Sequence, residues 1–218
     1  MDLSKKLQIS IVTDHDIWIN DYVVSYIEKL KSNNHNVLWI HDIKKTPTGD
    51  ICILLGCGQF MEKKIRIKNK SNVVVHESAV PNGKGWSPLT WQIIEGKNTV
   101  PISLIEAGED IDSGQIYFQK EMKFEGDELI DEIRNEQAKK SFELCDLLID
   151  NYPRSVQNGQ NQKGKSTFYK KRNPEDSKLD INKSLIENFN LLRTVDNKKY
   201  PAFFCYKNNK YILKIEKN

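Results

Sequence analysis

A histidine that closes a short run of β-branched residues, NVVVH (72–76), stands where proton chemistry can be done. Imidazole titrates near neutral pH, so His76 can take a proton from an attacking group or return one to a leaving group. Asp112 follows in the glycine-punctuated stretch AGEDIDSG (107–114). A carboxylate beside an imidazole fixes its tautomer and stabilises the imidazolium. The two together suit acyl transfer to an amine, in which the amine sheds a proton and an oxyanion must be held. Two further loops follow apolar runs, DHD (14–16) and GCG (56–58). Cys57 could be a nucleophile, but a small residue between glycines is the better reading. The four cysteines are scattered, and Cys52 with Cys57 has no second pair at metal-ligand spacing, so free thiols and no metal are expected.

The elements that must position these loops alternate along the chain. Apolar runs at 7–13 (LQISIVT), 36–41 (NVLWIH), 51–55 (ICILL) and 72–76 are expected strands, with helices at 17–31 and 59–68 between them. Continuous apolar strands separated by helices predict a mostly parallel sheet covered on both faces, with functional groups at the carboxyl ends of its strands. A glycine- and proline-rich loop at 81–88 leads to a short helix at 89–95, strands at 99–106 and 115–124, and an amphipathic helix over 128–149. The polar stretch 154–180 reads as a linker or wrapping loop, followed by a helix at 183–194 and a hairpin across Asn208 and Asn209. The expected organisation is an α/β catalytic domain over 1–153, the polar segment 154–180, and a small α+β tail over 181–218.

The chain of 218 residues carries 33 basic and 30 acidic side chains, a net charge of +3. That balance argues against a nucleic-acid partner, which calls for a clustered basic face. The opening MDLSKKL (1–7) shows no apolar stretch suited to a signal peptide or membrane span, so a cytoplasmic protein without a membrane partner is expected.

Four punctuated motifs, HESAVP (76–81), GWSP (85–88), WQIIEG (91–96) and DSGQI (112–116), resemble the pattern of the folate-dependent formyltransferases, with His76 and Asp112 at the family's separation. The resemblance covers residues 51–122 well and 1–50 by topology. It implies a Rossmann-like formyltransferase domain, His76 and Asp112 as the catalytic pair, and N10-formyltetrahydrofolate as co-substrate. It places the folate near Gly56, Cys57, Gly58 and Met61, with Ile105, Gly108, Glu109 and Asp110 as the far wall. One position departs from the pattern: the family has an oxyanion-binding Asn two residues before the His, and this chain has Val74. Asn72 lies a full strand repeat further back.

Within the family, methionyl-tRNA and glycinamide ribonucleotide formyltransferases remain alternatives, as do enzymes of dTDP-amino sugars. A non-catalytic folate or nucleotide-sugar binding protein of the same fold also remains open. The stretches KSTFY (165–169), DSKLD (176–180) and YPAFF (200–204) look like the tails of nucleotide-sugar N-formyltransferases, most like the pseudaminic-acid-pathway type of flagellin glycosylation. The substrate implied is a UDP-4-amino-4,6-dideoxy-N-acetyl-altrosamine. A nucleotide sugar needs cations and aromatic faces, and His15, Trp18, Lys84, Trp86, Tyr169 and Arg172 are the candidates to supply them. A homo-oligomer is left open.

Overall fold

A computed structural model describes residues 6–218. The charged opening 1–5, on which the reading of the chain start partly rests, lies outside them. The elements run β1 (Gln8–Val12), α1 (Asn20–Ser32), β2 (Asn36–Ile40), β3 (Gly49–Leu54), α2 (Lys63–Arg66), β4 (Asn69–His76), β5 (Lys84–Gly85), α3 (Pro88–Ile94), β6 (Thr99–Glu106), β7 (Ile116–Lys123), α4 (Ile130–Asp150), β8 (Phe168–Tyr169), α5 (Phe189–Leu192), β9 (Ala202–Tyr206) and β10 (Asn209–Leu213).

Six strands form one sheet in the order β2-β1-β3-β4-β6-β7. The first four run parallel, and β6 and β7 add an antiparallel ladder at the edge. The apolar runs are continuous because alternate residues are buried on opposite faces. Ile9, Ile11, Ile51, Ile53 and Val73 enter a core roofed by α1 and α4, whereas Val12, Cys52 and Leu54 pack with Ile43, Met61 and Ile65 on the other side. Helices α1 and α4 are joined by Tyr26 stacked on Phe142 at 4.3 Å, and by Asp146, which accepts from Tyr26 Oη and Lys29 Nζ. Among the described residues, no helix is long and apolar enough to cross a membrane.

Three local expectations change. The helix expected over 59–68 contracts to α2, because Gln59 spends its side chain bridging loops: Oε1 accepts from Ile43 N, and Nε2 donates to Asp14 Oδ1 and His41 O. The helix expected over 183–194 contracts to α5. Asp180, Asn188 and Glu187 accept hydrogen bonds from nearby backbone N–H groups, an alternative to helical pairing. The hairpin turns at Lys207 and Asn208, both at positive φ, one residue earlier than expected.

The polar segment folds across the sheet's functional edge. Strand β8 pairs with β5, and Gln160 bridges to Ile116. Gly85 sits at φ +98°, and a Cβ there would lie 2.4 Å from Tyr169 O, so glycine permits the β5–β8 approach.

The last part of the chain has its own cluster of Leu179, Leu192, Val195 and Ala202. It is tied to the sheet domain by Arg193, which is fully buried. Its guanidinium reaches Glu128 Oε2 at 3.2 Å, Asn98 Oδ1 at 2.6 Å and Asn190 Oδ1 at 3.1 Å. Arg193→Met is expected to lower unfolding stability by about 3–5 kcal/mol, because Glu128 loses its buried partner. Urea denaturation of the variant and the parent measures this.

Candidate active site

A cleft of about 530 Å³ opens at the carboxyl ends of β1, β3 and β4. His76 ends β4 and is 5% exposed. Its Nε2 lies 2.8 Å from Gly83 O. A carbonyl can only accept, so Nε2 carries the hydrogen. That leaves Nδ1 turned toward Asp112, 3.5 Å from Oδ2. The same Oδ2 accepts from Gly85 N at 2.9 Å. The loop at 83–85 thus holds one ring nitrogen directly and fixes the carboxylate that faces the other.

Asp112 owes its place to a tight loop between β6 and β7. It has φ +50°, in the left-handed region that aspartate enters more readily than most residues. Gly114 lets the loop close onto β6, since a Cβ there would lie 2.1 Å from Glu106 O. Gln162 Nε2 donates to both Asp112 O and Gly114 O at 2.8 Å, so the wrapping segment directly braces the turn that carries Asp112. On the other side, Thr167 Oγ1 accepts from Gly83 N and Thr167 O accepts from Lys84 N, fixing the carbonyl that holds His76.

The loops after β1 and β3 are also joined. Asp14 Oδ2 accepts from Gly58 N at 2.9 Å, and Oδ1 accepts from Gln59. Gly56, Cys57, Gly58 and Met61 line the cleft on this side, and Gly108 and Asp110 line it opposite. Trp18 and Trp86 line it as well. Apolar walls from Leu54, Met61, Val74 and Ile111 beside the carboxylates of Asp14 and Asp110 suit a flat heterocycle with a donor-rich edge, as a pterin has.

Six expected residues lie elsewhere. Ile105 is fully buried in the sheet, paired with Val74. Glu109 turns outward to an ion pair with Arg66 at 2.7 Å. His15 stacks on His41 at 4.5 Å. Lys84 is buried under the wrapping segment as part of β5. Tyr169 donates to Glu95 Oε2 at 2.9 Å, and Arg172 packs over Trp91 and donates to Ser177 Oγ. These last three serve the β5–β8 wrap and the α3 surface, which the sequence could not reveal without the pairing.

Val74 lines the cleft, as strand alternation from His76 requires, and brings no donor. Asn72 is not a substitute: its Nδ2 donates to Arg66 O at 2.8 Å and it does not line the cleft. Glu77, Gln137, Ser141 and Lys171 line the cleft but were not singled out from the sequence. A charged residue directly after the histidine, and polar residues at i and i+4 on the buried side of an amphipathic helix, were the available signals.

The fold defined by this sheet and cleft is that of the formyltransferases. No family model matches the chain. Methionyl-tRNA formyltransferase of Sulfurihydrogenibium sp. is 26% identical over 180 residues, 82% of this chain and 56% of that protein. The chain therefore spans little more than half the length of this curated relative. Among solved structures, HypX from Aquifex aeolicus in complex with tetrahydrofolic acid superposes with a TM-score of 0.81 at 16% identity, over 97% of this chain and 38% of that one. A 4-N formyltransferase from Francisella tularensis gives 0.68 at 19% identity, over 96% and 97%. These likenesses support the folate-dependent formyltransferase family.

Cys57 is unsuited to nucleophilic work. Burial pushes its thiol up to about 11, and that of Cys52 up to about 12. With the thiolate the reactive form, iodoacetamide at about pH 7.5 is expected to label exposed Cys205 at least about tenfold faster than Cys57. Peptide mapping of the alkylated protein checks the order.

Proposed function

We propose that the protein is an N-formyltransferase that moves a formyl group from N10-formyltetrahydrofolate to a primary amine. The observation that carries this is the imidazole of His76, whose Nε2–H is held by Gly83 O while Nδ1 faces the Asp112 carboxylate inside the cleft. In that arrangement Nδ1 takes the proton the amine sheds as it attacks the formyl carbon, and Asp112 stabilises the imidazolium. The same proton returns to the folate nitrogen as the carbon–nitrogen bond to the donor breaks. Gly56 to Met61 on one side and Gly108 to Asp110 on the other would hold the pterin.

The acceptor we favour is the 4-amino group of a nucleotide-linked 4-amino-4,6-dideoxy sugar, with the pseudaminic-type UDP sugar as the particular candidate. The likeness to a 4-N formyltransferase over nearly the whole of both chains supports it. So does the cleft mouth, where Trp86 is exposed and Lys171 can meet a phosphate. Methionyl-tRNA is the second acceptor to be tested, because a curated relative carries that name.

The deciding experiment incubates the protein with formyl-labelled folate and a panel of UDP- and dTDP-4-amino sugars, methionyl-tRNA and glycinamide ribonucleotide. Label is expected on an amino sugar, and no transfer to any acceptor would refute the reading. With an acceptor in hand, His76→Asn is expected to lower turnover at least about a hundredfold with little change in unfolding midpoint. Asp112→Asn is expected to slow the reaction at least about tenfold, because the imidazolium formed on His76 loses its countercharge. An unchanged rate would leave Asp112 a turn-shaping residue only.

A further inference from the structure

The neutral ring of His76 faces two hydrogen-bond acceptors and has one hydrogen to give. Gly83 O stands 2.8 Å from Nε2, and Asp112 Oδ2 stands 3.5 Å from Nδ1. A carboxylate is by nature the stronger acceptor of the two. The ring therefore keeps its hydrogen on Nε2 only while the carbonyl is held at the better distance. Base chemistry at Nδ1 depends on that outcome, because a hydrogen on Nδ1 takes the lone pair an attacking amine needs.

The backbone around that carbonyl does not fix itself. Gly83 has φ +73°, and glycine rotates about its backbone bonds at little steric cost. Both peptides that meet at its Cα are tied to one residue of the wrapping segment. Thr167 Oγ1 accepts from Gly83 N at 2.8 Å, and Thr167 O accepts from Lys84 N at 2.9 Å. Gly83 O and Lys84 N belong to the same trans peptide, so they point in opposite directions. Holding Lys84 N–H on the side of the wrapping segment thus aims Gly83 O at the other side, where His76 lies. Thr167 N completes the hold by donating to Pro81 O at 3.2 Å. Two of these three bonds are backbone bonds that survive a change of side chain. The hydroxyl is the one that the residue type decides. Thr167 is exposed and does not line the cleft, so it stands behind the loop, away from the reacting groups.

We propose that Thr167 is a positioning residue for His76: its hydroxyl locks the Gly83 turn, and the Gly83 carbonyl keeps the neutral imidazole in the tautomer whose Nδ1 is free to take a proton. The effect on rate rests on the proposed formyl transfer, whereas the tautomer is a property of the protein alone.

Without the hydroxyl, Gly83 N–H is left to water and the glycine is free to turn. The carbonyl loosens its hold on Nε2, and the hydrogen moves to Nδ1, where Asp112 accepts it. The move exchanges one hydrogen between the two ring nitrogens through water, so the ring stays neutral. The carboxylate placed to counter an imidazolium then occupies the base itself.

Two measurements test the proposal. Thr167→Val keeps the shape and the backbone bonds and removes the hydroxyl, whereas Thr167→Ser keeps the hydroxyl. Nitrogen-15 NMR of histidine-labelled protein, at a pH where His76 is neutral, reports which ring nitrogen carries the hydrogen. The His76 signals are assigned by their loss in His76→Asn. The parent and Thr167→Ser should carry the hydrogen on Nε2, and Thr167→Val should shift it toward Nδ1. In formyl transfer, Thr167→Val should lose about tenfold or more in kcat with KM nearly unchanged, an effect that slight misplacement of a reacting group produces. Thr167→Ser should keep most of the rate. In the His76→Asn background Thr167→Val should cost nothing further, because Thr167 acts only through that ring. Thr167→Ala, which adds no apolar bulk, takes the place of the valine variant if that protein does not fold. A parent with its hydrogen on Nδ1, or a Thr167→Val protein with the parent's tautomer, overturns the proposal. So does a loss of rate that persists in His76→Asn. A parent that transfers no formyl group would sink the proposed function instead, while the nitrogen spectra still decide the role of Thr167.

Discussion

A carbonyl oxygen cannot donate a hydrogen bond, and at Gly83 that restriction settles the state of the whole site. Because Gly83 O accepts from His76 Nε2, the imidazole has one tautomer when neutral, with its basic nitrogen facing Asp112. Everything that fixes Gly83 therefore fixes the chemistry, and what fixes Gly83 comes from far along the chain. Thr167 holds the N–H of Gly83, and β8 holds β5 just after it.

This explains why a stretch rich in Gln, Asn, Gly and Lys is kept in order over the cleft edge. A polar loop has little apolar area with which to offset its conformational entropy. Segment 160–172 is instead fastened by backbone pairs to Ile116 and Gly85, and by Gln162 to two carbonyls of the catalytic turn. Gly85 allows the contact because the Tyr169 backbone occupies the space a side chain would need. The loop clamps both residues, since it holds the N–H groups on either side of the Gly83 carbonyl and the turn that presents Asp112.

The parts legible in the sequence were those set by burial and periodicity. Strands such as ICILL (51–55) read as strands because both faces are covered, and 128–149 read as a helix because Ile133, Ala138, Cys145 and Leu148 recur on the buried side. The meeting of His76 with Asp112 was legible because motif spacing reflects loop lengths. Roles that depend on a partner distant in sequence were not. Tyr169 and Arg172 carry types that suit substrate binding, yet their partners Glu95, Trp91 and Ser177 became known only once β5 met β8. Conversely, Glu77 stands in the sequence only as one letter of HESAVP (76–81). Only the fold reveals that Gln137, sixty positions on, turns it into a restrained group of the cleft.

The charge of the cleft bears on which end of an acceptor can enter. Asp14, Glu77, Glu106, Asp110 and Asp112 line it, against His76 and Lys171. Asp14 is occupied by a backbone N–H and an amide, and Asp112 by Gly85 N, so their charge is partly balanced; among the described residues the ion-pair partner that faces Asp112 is His76. Phosphate groups are repelled by such a lining, whereas an amine is drawn in as its ammonium form and must lose a proton before it can attack. In the proposed reaction His76 receives that proton, and Asp112 counters the imidazolium formed. A substrate that is cationic at one end and anionic at the other would therefore enter amine first, with its phosphates held back at the rim where Lys171 stands. On this argument the acidic lining orients the acceptor before any specific contact forms, and the single rim lysine matters more for the direction of entry than for the strength of binding.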